Sequence, residues 1–394
     1  MSLLAAAVVG AQGTGATPPS APGGQAPPAG AKVIGTLRYA FTQPVHLVIG
    51  GVAPGSGFGG GIGYDSPPAR PWTFGAKAVA TMRRYWATTT ELTYQGGRTG
   101  IDAYGRLREM PELAFYGLGN ESVVEDRSNF GMREGVVGTL ATARVAPWIT
   151  IGARAEANWA KLRGGNSSEF PSIEALFAPS DVPGMSGPGR YARYEASLNV
   201  RLPAAVGAAF YQGARYRIAY AYFDDLLADQ FTFTRVDLEA QHRFTMPIPQ
   251  HHLTLHGWVS AEVADAGQRT PFYLQRTLGG KSFLRSMHDN NIGSDGSAGT
   301  LRGFSELRFR DRNLLLLQAE YRVPVWGPID ATAYVDAGKV AHDRSGLDLT
   351  DLKHNFGFSL SAMRGTETAA RFDVAFGGGE GYRIFFTLGV KGTQ

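Results

Sequence analysis

The chain of 394 residues carries 52 Gly, 22 Pro and no Cys, is 43% hydrophobic but only 18% charged, and has a formal net charge of +4. The missing cysteines exclude disulfides, thiolate metal ligands and cysteine nucleophiles, and the small basic excess, spread without a Lys/Arg run, excludes a nucleic-acid-binding arm. No apolar stretch reaches the ~20 residues of a spanning helix, so any passage through a membrane must be made by the strands of a closed barrel.

Residues 1–11 (MSLLAAAVVGA) form a short apolar stretch ending in small side chains, which reads as the remnant of an export signal without its basic start. Residues 12–32, rich in Pro, Gly and Ala, cannot bury a core and read as a flexible linker. That leaves 33–394 for one folded unit. From about residue 56 the apolar residues recur at every second position. In VDLEAQHRFTM (236–246) Val236, Leu238, Ala240, Phe244 and Met246 fall on one face, and Asp237, Glu239, Gln241, Arg243 and Thr245 on the other. The spacing predicts strands beginning near 57, 74, 88, 101, 135, 149, 191, 214, 235, 252, 313, 329, 353, 368 and 381, with one more in 33–41 (VIGTLRYAF).

Alternation alone also fits a soluble sandwich. Two features favour lipid on the apolar face: periodic segments of roughly 9–11 residues suit a tilted membrane strand, and aromatics near segment ends suit interfacial girdles, as at Tyr85 and Trp86, Trp148 and Trp159, and Tyr382. An open sheet in hydrocarbon would expose unpaired backbone groups at several kcal/mol each, so it must close. The expected fold is all-β, a transmembrane antiparallel β-barrel of about 16 strands, an even number wide enough to hold water. Long connections at 117–133, 160–190 and 265–312 are expected outside the cell, and tight turns such as 323–329 on the periplasmic side.

PFYLQRTLGG (271–280), TLRGF (300–304), RNLLLLQAEYRVPV (312–325) and AYVDAGKV (333–340), in this order and spacing, resemble the C-terminal half of the BamA/TamA-like outer-membrane assembly barrels, also known as bacterial surface antigens. FYGLGNES (115–122) and GSGFGGGIGYD (55–65) extend the likeness over the barrel. The resemblance implies a long loop folded back into the lumen, with Arg302, Gly303 and Phe304 at its tip, Arg302 meeting Asp336, and Glu320 a second partner. The alternation independently turns Glu320 and Asp336 inward, since Leu315, Leu317, Ala319, Tyr321, Val323, Val335 and Ala337 take the lipid face. Gly303 is expected to allow either a close backbone approach or a positive φ.

The dense glycines Gly57, Gly59, Gly60, Gly61 and Gly63 are expected in the first strand, where they make either a weak seam that opens sideways, as the resemblance implies, or a barrel bend or tight lumen contact. The last segment, with Tyr382, Ile384, Phe386 and Leu388 outward, resembles the recognition strand of outer-membrane proteins, although it extends past the last aromatic to Gln394. The Gly-rich stretches lack the strand–loop–helix setting and Gly-Lys-Ser/Thr of a phosphate loop. His251 is split by the alternation from His252 and His256, and DNNIGSDGS lacks the spacing of an EF-hand. No nucleophile elbow is present. The expectation is therefore no enzyme, metal or cofactor. The resemblance implies an outer-membrane barrel that aids insertion or translocation of client proteins, bordered by outer-membrane lipid, with substrate-receiving POTRA domains on a separate periplasmic partner. The alternative is a porin-like channel for small solutes with a lumen plug.

Overall fold

The computed structural model describes residues 44–67, 71–203, 211–227, 230–264, 268–280, 300–364 and 367–390. Among these, sixteen strands form one antiparallel sheet that follows chain order. The wall begins with β1 (Val45–Ile49), β2 (Gly59–Asp65), β3 (Trp72–Thr81), β4 (Trp86–Gly96), β5 (Thr99–Phe115) and β6 (Ser128–Ala146). It continues through β7 (Ile149–Gly164), β8 (Pro188–Leu202), β9 (Tyr211–Asp225), β10 (Phe233–Thr245) and β11 (His252–Ala264). After β11 the chain leaves the wall for a two-stranded ladder, β12 (Arg276–Leu278) with β13 (Phe309–Asp311). It then rejoins the wall as β14 (Asn313–Trp326), β15 (Ile329–Ala341), β16 (Lys353–Arg364), β17 (Glu367–Gly377) and β18 (Gly381–Val390). The expected strand in 33–41, the signal remnant and the linker lie outside the described residues.

The burial pattern is that of a barrel in lipid, inverted from a soluble protein. Along β7, Ile151, Ala153, Ala155, Ala157 and Trp159 are exposed while Arg154, Glu156 and Asn158 are buried. The last strand behaves alike, with Tyr382, Ile384 and Phe386 all more than half exposed. Its backbone continues through Leu388, which pairs with Ala370, while the Leu388 side chain lies outside the described residues. Water would penalise so many outward apolar side chains, and a dry interior would penalise the charges; hydrocarbon outside and a polar lumen remove both costs. The protein is an up-and-down transmembrane β-barrel.

Several expectations are corrected. The central strands are longer than 9–11 residues: β5 has 17, β6 has 19 and β7 has 16. Their extra length carries them past a bilayer toward the long loops, where the inward residues Met110, Phe115, Phe130 and Met132 are capped by an apolar cluster. The loops shorten accordingly to 116–127 and 165–187. Tyr85 is no girdle residue: it is 1% exposed, and its hydroxyl donates to the Glu112 carbonyl. Trp148 and Trp159 do face outward.

The glycine-rich strand is also misplaced by the sequence. Gly59, Gly60, Gly61 and Gly63 lie in β2, hydrogen-bonded on one side to β1 and on the other to β3, and Gly57 precedes the strand in a left-handed turn (φ 69°). The segment VHLVI is short and bounded by Pro44 and Gly50, which hides its alternation, yet it forms the strand at the sheet's start. Gly60 points outward into open space, whereas Gly59, Gly61 and Gly63 share the other face. A Cβ on Gly61 would sit 2.8 Å from the Val79 Cα, and one on Gly59 2.6 Å from the Ala80 carbonyl. The geometry is that of a bend whose inner face has no room for side chains.

Candidate functional site: the lumenal loop and its anchors

The connection between β11 and β14 folds inward, and its ladder packs against β14 and β15. Residues 271–274 (PFYL) make a tight turn whose Phe272, Tyr273 and Leu274 are buried. The Phe272 ring meets those of Phe115 and Phe130 edge-on at 5.2 and 4.9 Å. Arg310 donates to the Phe272 carbonyl at 2.7 Å, and Gly119 in the 116–127 loop donates from its backbone to the Arg310 carbonyl at 2.8 Å. Arg308 extends this docking, with Nε 2.6 Å from Glu380 and its terminal nitrogens on Ser122. On the rim, Lys353 lies 3.1 Å from Glu121 and its hydrogen bond holds that carboxyl below its usual range. FYGLGNES is therefore a clamp on the outer side of the plug.

At the tip, Phe304 N–H closes a turn onto the Leu301 carbonyl (3.1 Å). Arg302 is 1% exposed and Asp336 has no exposed surface. The guanidinium grips Asp336 in a fork, Nε to Oδ2 at 2.8 Å and Nη2 to Oδ1, and donates from Nη1 to Glu320. The Arg302 backbone N–H reaches Asp336 Oδ2 at 3.3 Å, and the Gln318 and Asn355 amides donate to the two carboxylate oxygens at 2.9 Å each. Asp336 thus holds five hydrogen bonds in all. Charge-assisted, bidentate geometry of this kind is the strong form of the interaction.

Three further groups complete the lock. The Arg302 guanidinium carbon lies 3.5 Å from the Tyr334 ring centroid, a cation–π contact. Tyr334 is paired with Gly357 across the sheet, and any Cβ at 357 would collide with its ring, so the glycine lets the ring lie flat beneath the arginine. Arg371 bridges Asp373 (2.9 Å) and Glu320 (3.5 Å), giving the second carboxylate another cation. Gly303 has no positive φ; a Cβ there would meet the Gly377 Cα and N at 2.6 Å and the Asn355 Cβ at 2.7 Å. Its role is therefore close backbone approach to β17. Phe304 is 3% exposed and packs edge-on against Phe309 at 5.2 Å, in a cluster with Trp258, Leu278, Leu314, Leu316 and Val340.

The structure brings together all five residues expected at the lock, Arg302, Gly303, Phe304, Glu320 and Asp336. Sequence reasoning missed Gln318, Tyr334, Asn355, Gly357, Arg371 and Gly377. Gln318, Asn355 and Arg371 were visible as polar residues at inward positions, but nothing in the period says which inward residues meet.

With this geometry in place, comparison with solved structures identifies the architecture. BamA from Haemophilus ducreyi lacking POTRA domains 1–3 superposes with a TM-score of 0.53 at 12% identity, covering 91% of this chain and 77% of that one. CdiB from Escherichia coli gives 0.54 at 10% identity, covering 89% and 68%. CdiB from Acinetobacter baumannii gives 0.52 at 9% identity, covering 87% of this chain and 59% of that one. No protein-family model and no curated protein sequence matches the chain. The fold is that of the BamA-like barrels, and at such identities it is the fold alone that is shared.

Proposed function

We propose that this protein is an outer-membrane barrel acting in the insertion or translocation of client polypeptides, with the lumenal loop as a fixed plug. The observation carrying this reading is the lock itself. A loop tip held by two buried carboxylates, a cation–π face and a glycine–glycine contact is built to stay in place, which suits a barrel that is closed to solutes at rest. The BamA-like fold and the outward Tyr382, Ile384 and Phe386 of β18 support an outer-membrane location. The partners of this reading are outer-membrane lipid, client chains and a periplasmic POTRA-type partner, and no catalytic step is part of it.

Planar-bilayer recording tests it against the porin alternative. The intact barrel is expected to be silent and to accelerate insertion of an outer-membrane client into vesicles, while deletion of 285–310 opens a steady current. A large steady current from the intact protein, without client insertion, makes it a pore.

A further inference from the structure

At the long-loop end the described residues form a cavity of about 380 Å³. Its walls come from the 116–127 loop, the 165–187 loop, the connection that leaves β11, and the residues just before β14 and just after β15. The lock residues Arg302, Glu320 and Asp336 take no part in it. Asp181 and Arg269 are exposed, on the solvent side, whereas Gln275 is 2% exposed. Arg269 Nη1 donates to the Ser180 carbonyl at 3.3 Å, and Asp181 accepts from the Ser180 hydroxyl at 2.9 Å. Arg312 Nη2 lies 3.5 Å from the exposed Asp343. Gln275 Nε2 donates to the Thr270 carbonyl at 3.4 Å, which sets the sense of its amide. Two polar atoms of these lining side chains, Gln275 Oε1 and Arg312 Nε, are buried with no hydrogen-bond partner among the described residues. Such groups are uncommon in native proteins. Here one is an acceptor and the other a donor.

From this lining we propose that the cavity is a binding site for a neutral hexopyranose sugar entering from the long-loop side. The volume lies at the lower end of the roughly 300–1,000 Å³ of ligand pockets, which suits one or two sugar rings. Charge in and beside the cavity is close to balance: Arg269 and Arg312 stand with Asp181, Asp343 and Asp311, the last 3.6 Å from His342. A hydroxyl both donates and accepts. Ring hydroxyls therefore serve the acceptors, Gln275 Oε1 and the Asp181 carboxylate, and the guanidinium donors of Arg269 and Arg312 at the same time. An anion would serve the donors alone, and an ammonium group the acceptors alone. Leu118 and Pro183 add aliphatic surface for the C–H face of a ring. A peptide that binds as an added strand needs a free sheet edge, and β11, β14 and β15 are each paired on both sides. A free sugar and the end of a glycan chain share this chemistry.

The test uses the full-length barrel in micelles of a sugar-free detergent and saturation-transfer NMR. The probes are glucose, galactose and mannose, with maltose, lactose and mannobiose carrying the same sugars as chain ends. Cyclohexylmethanol is the ring without its hydroxyls, and acetyl-dialanine amide is the peptide control. Saturable binding of at least one sugar is expected, with a Kd on the order of 1 mM. It should change less than about twofold between low and physiological salt, because the ligand is neutral. Both controls should bind at least about tenfold more weakly, since they leave the polar lining unserved. Gln275→Leu and Arg312→Leu should each weaken the sugar by about tenfold. If neither gives a heat-resistant compact band, the exposed Asp181→Ala and Arg269→Ala serve, with the same sign and a smaller change. No sugar binding, controls that bind as well as the sugars, or affinity unchanged in the variants each overturns the proposal. A disaccharide that binds at least as well as its sugar supports the site and makes the ligand a glycan end, and one that is rejected supports it with a free sugar. A barrel that inserts clients yet binds no sugar overturns this inference alone. One that binds sugar but carries a large steady current without inserting clients overturns the function proposed above.

Discussion

Replacing Arg302 by alanine removes a side chain that joins the plug to β14 and β15 at once. Asp336 keeps the backbone N–H of residue 302 (3.3 Å) and the amides of Gln318 and Asn355 (2.9 Å each), but loses both guanidinium donors and with them its cation. Glu320 loses one donor and retains Arg371 at 3.5 Å. A fully buried carboxylate left with neutral donors is the situation in which breaking an ion pair costs about 3–5 kcal/mol, and loss of the desolvated cation–π contact to Tyr334 lies within that range. Arg302→Ala is therefore expected to destabilise the folded barrel by about 3–5 kcal/mol. Asp336→Ala removes the stranded charge but leaves Arg302 held by Glu320 and the Tyr334 ring. In the double variant the carboxylate no longer needs a cation, so its total loss should fall short of the sum by about 2–3 kcal/mol. Urea unfolding of the refolded barrel in lipid vesicles, followed by tryptophan fluorescence at fixed lipid and pH, measures all three, and the temperature at which the compact band disappears on a gel gives an independent order. Additivity to within about 0.5 kcal/mol would show that the pair does not act as a unit and would refute the lock.

Gly303→Ala forces a Cβ to within 2.6 Å of the Gly377 backbone, where no flexible side chain can yield, so it should destabilise by about 1–3 kcal/mol in the same urea assay and open a current in planar bilayers. Gly377→Ala, which meets the Gly303 carbonyl from the other side, should do likewise. In β2, Gly61→Ala collides with the β3 backbone and should lower the yield of heat-resistant barrel on refolding, whereas Gly60→Ala, whose nearest neighbour is 3.9 Å away, should refold like the parent. Equal yields would remove the bend reading. Tyr85→Phe deletes a buried hydroxyl donated to the Glu112 carbonyl and should cost about 1 kcal/mol in urea unfolding with no effect on conductance. A pure girdle residue would show no such loss.

The all-β class, the strand number and the choice of lipid over water were legible because a period of two reports one property of each residue, its preference for hydrocarbon or for a polar lumen. By the same rule Glu320 and Asp336 faced inward before any contact was known, and the resemblance to assembly barrels supplied the arginine that meets them. Periodicity fails where a strand is too short to repeat, so Val45–Ile49 gives no signal and the Gly-rich β2 is the first segment to alternate although β1 pairs outside it. It fails again where a strand outruns the membrane, as in β5 to β7, because the loops there replace lipid as the covering.

The sequence by itself determined which side chains face the lumen. Only the tertiary structure decided which of them meet. That Tyr334 lies flat on Gly357 to receive Arg302, that Gly303 touches Gly377, and that Arg371 shares Glu320 are pairings between distant segments. Each depends on the register and curvature of several strands together, and no single strand's alternation carries that information.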